Sequence, residues 1–411
     1  MGFQVSPGVN VSEIDLTGII PAVSTTEGAM AGWFRWGPAE ERQLISSEEE
    51  LVSTFGEPDS TNFITFFTAA NFLAYGNKLY TARAIPADAL NATVLQNQAT
   101  TPAGGTASHS DLIKNDEHHE GLTLSTTAAL SAFIAKYPGA LGNSLKVSVC
   151  DSALAFQSTF TGTTNSSMDT NGANSTLVAN IAVGSNTLLF TQTGTESGDS
   201  SSQTGNVIRI GANLAMTTAQ TVFTVGDTVR LGNSTIGYQH AKIVAKSAVQ
   251  AGGNHDSGTT TFTANVSFTL DQKYRLSTAM SSNSTVGDSI NSGGVTRFWE
   301  FKDNVDKAPG QSEWSNNVAN NTANDELHIV VTDEDGLITG VKDNILEVWE
   351  GLSRASDAKN ESGESIFWKD VIDNQSNWLW VGGAELRATS NVNTAAQTYS
   401  NTGANLNNHV K

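Results

Sequence analysis

The chain contains a single cysteine, Cys150, in 411 residues. No internal disulfide can form, and one lone thiol fits a reducing compartment. Uninterrupted apolar runs of the ~20 residues needed to cross a bilayer as a helix are missing. The N-terminus lacks the basic and apolar regions of a secretory signal. Basic residues are scarce: 22 Lys and Arg stand against 41 Asp and Glu, a formal charge of −19. They cluster nowhere, which argues against nucleic acid or an anionic membrane as the partner. The acidic excess favours solubility. The phosphate-wrapping G-x-x-x-x-G-K-[ST] pattern and the G-x-S-x-G nucleophile elbow are both absent.

What is present points to a folded, multidomain protein. Hydrophobic residues make up 38% of the chain, and its length suits two to four domains. Met1-Gly2-Phe3-Gln4-Val5-Ser6 matches the myristoylation pattern, but only Gly2 and Ser6 are specified, so the match reads as chance. The Asn-x-Ser/Thr triplets, such as Asn10-Val11-Ser12, read the same way in an Asn-, Ser- and Thr-rich chain.

Residues 1–22 form an arm. Its stretch "VSPGVNVSEIDLT" alternates apolar and polar residues like a strand, split by Pro7-Gly8, with no neighbouring hairpin partner. Residues 23–90 read as a compact α/β unit of the order strand-helix-helix-strand. The first strand ends at Gly37-Pro38. In "LISSEEELVSTFGEP", Ser47 and Glu50 make a capping box, Glu48–Glu50 favour the helix N-terminus, and Gly56 stops the helix. The next helix, "NFITFFTAANFLAYGN", places Phe63, Phe66, Phe67, Ala70, Leu73 and Ala74 on one face, and "KLYTARAI" follows as a strand. Residues 91–135 lose periodicity and read as a loop or linker.

Residues 136–151 together with 321–390 read as a mixed α/β domain. Leu145, Val147 and Val149 share a strand face. "ELHIVVTDEDGLITGV" reads as a hairpin turning at Asp335-Gly336. "DNILEVWEGLSR" fits a helix by the spacing of Ile345, Val348, Trp349 and Leu352, or a strand by its length and Gly351. Phe367, Trp368, Val371 and Ile372 mark a short helix before an apolar strand at 378–381. Between these parts, residues 152–320 are rich in Ser, Thr, Asn and Gly and carry short β-like runs. They read as an inserted all-β domain, barrel or sandwich. Residues 391–411 are a polar tail. The fold class is therefore multidomain α+β.

Chemistry-bearing constellations are few. Cys150 lies on an alternating strand, where a packed thiol is the simpler reading than a nucleophile. "HSDLIKNDEHHEG" gathers His109, Asp111, Asp116, Glu117, His118, His119 and Glu120. Adjacent His118 and His119 point apart in any regular element, and no H-x-x-x-H spacing exists. The three histidines are weak metal candidates in a solvated loop. Aligning Asp335-Gly336 with a calcium loop puts Val331 at its first position and Lys342 at its twelfth, both wrong for that site. No constellation specifies a catalytic residue or a cofactor.

The best-formed segments are also the distinctive ones. "PGVNVSEIDLT", "GWFRWGPAEERQLISSEEELVSTFGEPD", "FFTAANFLAYGNKLYTARAI", "YPGALGNSLKVSV" and "DELHIVVTDEDG…LEVWEGLSRASDAK" occur in this order and cover residues 7–85, 137–149 and 325–359. Together they resemble the tail sheath proteins of contractile-tailed bacteriophages. The resemblance implies a non-enzymatic virion protein, assembled in the host cytoplasm, that polymerises helically around the tail tube. Contraction then drives the tube through the host envelope with energy stored in subunit packing. It implies other sheath copies, the tube protein, and baseplate and terminator proteins as partners, with no nucleic acid, no cofactor and only indirect contact with the host surface. It assigns Val5, Val9, Val11, Glu13, Ile14 and Leu16 of the arm to a strand exchanged between subunits, and residues 152–320 to the outside of the tail. In such proteins a further C-terminal region builds the tube-facing core, so residues 1–411 alone are expected to be monomeric. The rival reading is a receptor- or glycan-binding β-rich phage protein.

Overall fold

The computed structural model describes residues 27–95, 112–122, 131–160, 164–165, 174–197, 223–248, 250–253, 259–281, 295–317, 324–382 and 408–409. It contains both helices and several β-sheets, as a mixed α+β protein does. The arm residues Val5, Val9, Val11, Glu13, Ile14 and Leu16, and His109, lie outside the described residues. The chain divides into two compact units, Met1–Ala89 with Lys114–Glu120, and Leu90–Ile113 with Gly121–Lys411.

In the first unit, β1 (Glu27–Gly32), β2 (Arg42–Ile45) and β3 (Lys78–Arg83) form a sheet of order β1-β3-β2. β1 runs parallel to β3 and β2 antiparallel to it. Helices α1 (Glu48–Phe55) and α2 (Phe63–Leu73) pack with this sheet around Phe34, Ile45, Leu51, Phe55, Phe66 and Leu79. β2 was not expected from the sequence. Its four residues carry only Leu44 and Ile45 as apolar side chains, too short a run to show a period of two.

The start of α1 follows the sequence in one half and departs from it in the other. The Ser47 hydroxyl accepts the Glu50 amide at 3.2 Å, as an N-cap should. The Glu50 carboxylate reaches past Ser47, accepting the amide and hydroxyl of Ser46 at 2.8 and 2.6 Å. Those bonds hold its pKa below the ordinary value. Gly56 closes the helix at φ 79°, in the left-handed region.

Arg83 organises the loop that follows β1. It is buried, and its guanidinium donates to the carbonyls of Phe34 (2.9 Å), Gly37 (2.8 Å) and Arg35 (3.2 Å). Within the span read as a loop, α3 (Asp116–Gly121) forms beside this corner, where the Asn115 amide side chain donates to the Ala39 carbonyl at 3.0 Å.

The second unit holds the remaining strands: β4 (Thr93–Leu95), β5 (Ser131–Ala135), β6 (Leu145–Cys150), β7 (Gln157–Phe160), β8 (Thr164–Asn165), β9 (Asn174–Ile181), β10 (Thr187–Ser197), β11 (Thr228–Asn233), β12 (Gly237–Lys246), β13 (Gln250–Gly253), β14 (Thr259–Leu270), β15 (Met280–Ser281), β16 (Val295–Phe298), β17 (Glu326–Asp333), β18 (Asn344–Ser353), β19 (Leu379–Val381) and β20 (Asn408–His409). Among the described residues its α-helices are α4 (Ala153–Phe156), α5 (Glu313–Asn317) and α6 (Trp368–Gln375).

One sheet has the order β18-β17-β6-β20. Every residue of β6 and β17 is buried, so these strands are covered on both faces. "DNILEVWEGLSR" is resolved as the strand β18. It is β18, not residues 337–341, that returns against β17, so the expected tight hairpin is a wider connection over 334–343. Asp333 holds that connection. Its carboxylate accepts the amides of Leu337 (3.1 Å), Ile338 (2.9 Å) and Thr339 (2.7 Å), and the hydroxyls of Thr339 and Ser144. Burial alone would raise its pKa, but these donors together lower it. Gly336 still turns the chain, at φ 72°.

The largest sheet runs β15-β9-β10-β14-β12-β11-β16-β7, with β13 and β8 attached at its side. The chain enters through β7 and leaves through its antiparallel neighbour β16. Side chains from β9, β10, β11, β12, β14 and β16 meet in one cluster that includes Phe190, Phe268, Val229, Ile243 and Tyr274. A flat sheet cannot bring strands that far apart to one core, so this sheet curls around its own buried face. A bulge between Ile243 and Ala245 sits where β12 meets β14.

Cys150 is fully buried, and its thiol lies 3.7 Å from the Ser152 carbonyl. Burial drives its pKa far above the ordinary thiol value, so it packs and does not react.

Candidate assembly surface

The structural feature that stands out in the first unit is apolar surface left uncovered. β1 has the sequence EGAMAG. Gly28, Met30 and Gly32 face α2. A Cβ on Gly28 would lie 2.7 Å from the Phe72 ring, and one on Gly32 would lie 2.3 Å from Thr65 Cγ2. The two glycines let α2 approach the sheet closely. Gly32→Val is therefore expected to push α2 off its seat and cost roughly 1–3 kcal/mol. A urea melt of the variant checks this, and an unchanged midpoint would count against the close contact.

This seat decides which side of α2 turns inward. The sequence reading put Phe63 and Phe67 on the packed face together with Phe66. In the structure Phe66, Ala69 and Ala70 are buried, while Phe63, Ile64 and Phe67 are 48%, 69% and 51% exposed. Two apolar stripes overlap on this helix, and the close approach at Gly28 and Gly32 selects the one with the small alanines. Tyr75, just past the end of α2, is 93% exposed. Residues 60–77 contain no charged side chain at all.

The opposite face of the sheet carries Ala29, Ala31, Tyr80, Ala82 and Leu44. Arg42 covers Tyr80 at 4.9 Å, and Lys78 pairs with Glu27 at 2.9 Å. Leu44 is 48% exposed. Among the described residues β1 pairs only with β3, so its other edge has no strand partner there. Edge strands are usually blunted by charge, proline or bulges. After Glu27, β1 has none of these.

Of the three weak metal candidates, only His118 and His119 are among the described residues. His118 and His119 lie on α3, where the His118 amide donates to Asn115 Oδ1 at 2.8 Å and its Nδ1 accepts the Lys114 amide at 3.3 Å. Lys114 Nζ pairs with Glu40 at 2.6 Å. Among the described residues no group of three or more His, Cys, Asp or Glu side chains is placed to hold a metal ion.

The first unit thus presents exposed aromatics and, among the described residues, a strand edge with no strand partner. Over 129 residues, 31% of its length, this chain is 39% identical to the tail sheath protein of Vibrio phage KVP40. This chain is similar to phage tail sheath proteins. The tail sheath protein of Enterobacteria phage T4 is 39% identical over 84 residues, 20% of the chain, and that of Salmonella phage ViI is 25% identical over 387 residues, 94% of it. The matches span 18%, 13% and 50% of those relatives' own lengths, so the chain covers half of the longest-matched tail sheath protein and less of the others. No family model matches the chain.

Proposed function

We propose that this chain is the subunit, or part of the subunit, of a contractile phage tail sheath. It polymerises helically with other copies around the tail tube, bounded by baseplate and terminator proteins. It is a structural protein, not an enzyme. Contraction draws on energy stored in subunit packing and drives the tube through the host envelope. The protein is assembled in the host cytoplasm and ends in the virion.

The observation that carries this reading is similarity to a tail sheath protein along 94% of the chain. The uncovered surfaces of the first unit support it. Copies that each carry a formal charge of −19 repel one another. Close contact between them is favoured where charge is lacking, as on α2 and along β1. The arm, with Val5, Val9, Val11, Glu13, Ile14 and Leu16, is suited to add a strand to such an open edge on a neighbouring copy. The inserted β-rich region, residues 152–320, lies on the outside of the tail in this reading.

Removing residues 1–16 tests it. Electron microscopy of tails made with the shortened protein is expected to show bare tubes, while circular dichroism shows the shortened protein still folded. Sheaths that assemble and contract without residues 1–16 would take the arm out of the mechanism.

A further inference from the structure

The curled sheet has an outward face as well as a buried one. Along β11, Val229 and Leu231 point into the core, which leaves Thr228 and Arg230 facing outward. Tyr238 and His240 on β12 share that face, with Arg230 directly opposite His240 in register. Phe298 on β16 pairs opposite Thr228 and completes it.

These side chains form one cluster. The Arg230 guanidinium lies 4.8 Å from the Tyr238 ring centre and 5.9 Å from that of Phe298. Lys302 Nζ lies 5.2 Å from the Phe298 ring. The His240 ring centre is 6.4 Å from that of Phe298. Tyr238 is 52% exposed. The cations differ in one respect. Lys302 is paired with Asp303 at 2.7 Å, and Lys242 lies 3.6 Å from Glu300. Arg230 has Thr296 Oγ1 at 3.4 Å as a weak acceptor and, among the described residues, no carboxylate within ion-pair reach.

In a chain of −19, Arg230 stands out as an arginine that lies over aromatic rings and, among the described residues, has no carboxylate within ion-pair reach. Ring contacts restrict the side chain and lower the entropy lost when its fork engages a ligand. A planar fork matches a carboxylate bidentately. The exposed Tyr238 ring offers an apolar face beside it, with a hydroxyl for hydrogen bonding. A ligand that suits both carries an acid group next to a flat C–H-lined face. An acidic side chain of another protein brings the charge but no such face.

We propose that Arg230, Tyr238, His240 and Phe298 form a binding site for an acidic sugar, such as a uronic acid unit of a polysaccharide. The carboxylate engages Arg230, and the sugar's C–H face packs against the exposed edge of the Tyr238 ring beside the guanidinium.

The test is calorimetric titration of the 411-residue protein with oligogalacturonate, with a neutral malto-oligosaccharide of equal length, and with poly-glutamate. Oligogalacturonate is expected to bind and the other two to bind at least tenfold more weakly. Arg230→Gln, Arg230→Lys and Tyr238→Ala are each expected to weaken binding about tenfold or more, the size of one charge-assisted hydrogen bond. The lysine variant separates the planar fork from simple charge. Thermal melts monitor folding. Should Arg230→Gln not fold, the exposed Tyr238→Ala carries the same comparison. No binding of oligogalacturonate by the parent protein, equal binding of the neutral sugar, equal binding of poly-glutamate, or undiminished binding by folded variants would each overturn the proposal.

Discussion

Arg297→Leu is expected to destabilise the protein by about 3–5 kcal/mol at pH 8, the cost of leaving a buried charge without its partner. Arg297 on β16 is 1% exposed and Asp227 is 0% exposed. Arg297 Nη1 lies 3.5 Å from Asp227 Oδ2, which also accepts the Thr224 amide at 2.8 Å. Burial pushes the Asp227 carboxyl up to about 6, outweighing the pull of Arg297 toward the charged form.

The sign of the pH dependence follows. An unfolded aspartate titrates near ~3.9. In the parent protein the folded state therefore holds a proton on Asp227 more tightly than the unfolded state does. The stability this contributes is complete below the unfolded value and is lost as pH rises toward and through 6. In Arg297→Leu the carboxyl loses its cation and titrates higher still. The penalty should then shrink on acidification, by up to about 1.4 kcal/mol per pH unit. Urea melts at pH 8 and pH 5.5 check both parts. In the double variant Asp227→Asn, Arg297→Leu, most of the loss at pH 8 should return, because neither charge of the pair remains. A small penalty at pH 8, or one that grows on acidification, would contradict the role given to the pair.

The second large effect concerns assembly. Ile64→Asp combined with Phe67→Asp places two carboxylates on the exposed face of α2. Both side chains are half or more exposed, so the fold itself should change by no more than about 0.5 kcal/mol. Burying either parent side chain against a neighbour would contribute about 1.5–3 kcal/mol. With α2 at the proposed subunit contact, the double variant forfeits that there and adds repulsion between copies that are already acidic. Electron microscopy is expected to show no sheath around tubes, with the variant protein folded by circular dichroism. Normal sheaths would mean that α2 faces solvent or another part of the particle. The acidic-sugar titration is indifferent to this result, because Arg230 lies in the other unit.

Local chemistry was enough to place several elements. Ser47 and Gly56 delimit α1 because an N-cap hydroxyl and a left-handed glycine act within four residues of the helix they bound. α2, β3, β6 and α6 follow from apolar periodicity, and the short β-runs after residue 152 appear as β9, β10, β11, β12 and β14. β2 was too short to show a pattern. The Asp333 connection escaped notice because a carboxylate that gathers three amides looks, in sequence, like any Asp before a turn.

The sequence by itself determined the mixed α+β character, the order of most elements, and the motifs shared with tail sheath proteins. These rest on interactions between residues a few positions apart, or on residue order alone. Only the tertiary structure decided which stripe of α2 turns outward, that Arg297 meets Asp227, and that Arg230, Tyr238 and Phe298 form one cluster. Strand order brings β16 beside β11, and Arg230 thereby meets Thr296 across 66 residues of sequence. Periodicity tells which residues share a face, but not which faces meet, because that choice is made by packing across the whole sheet.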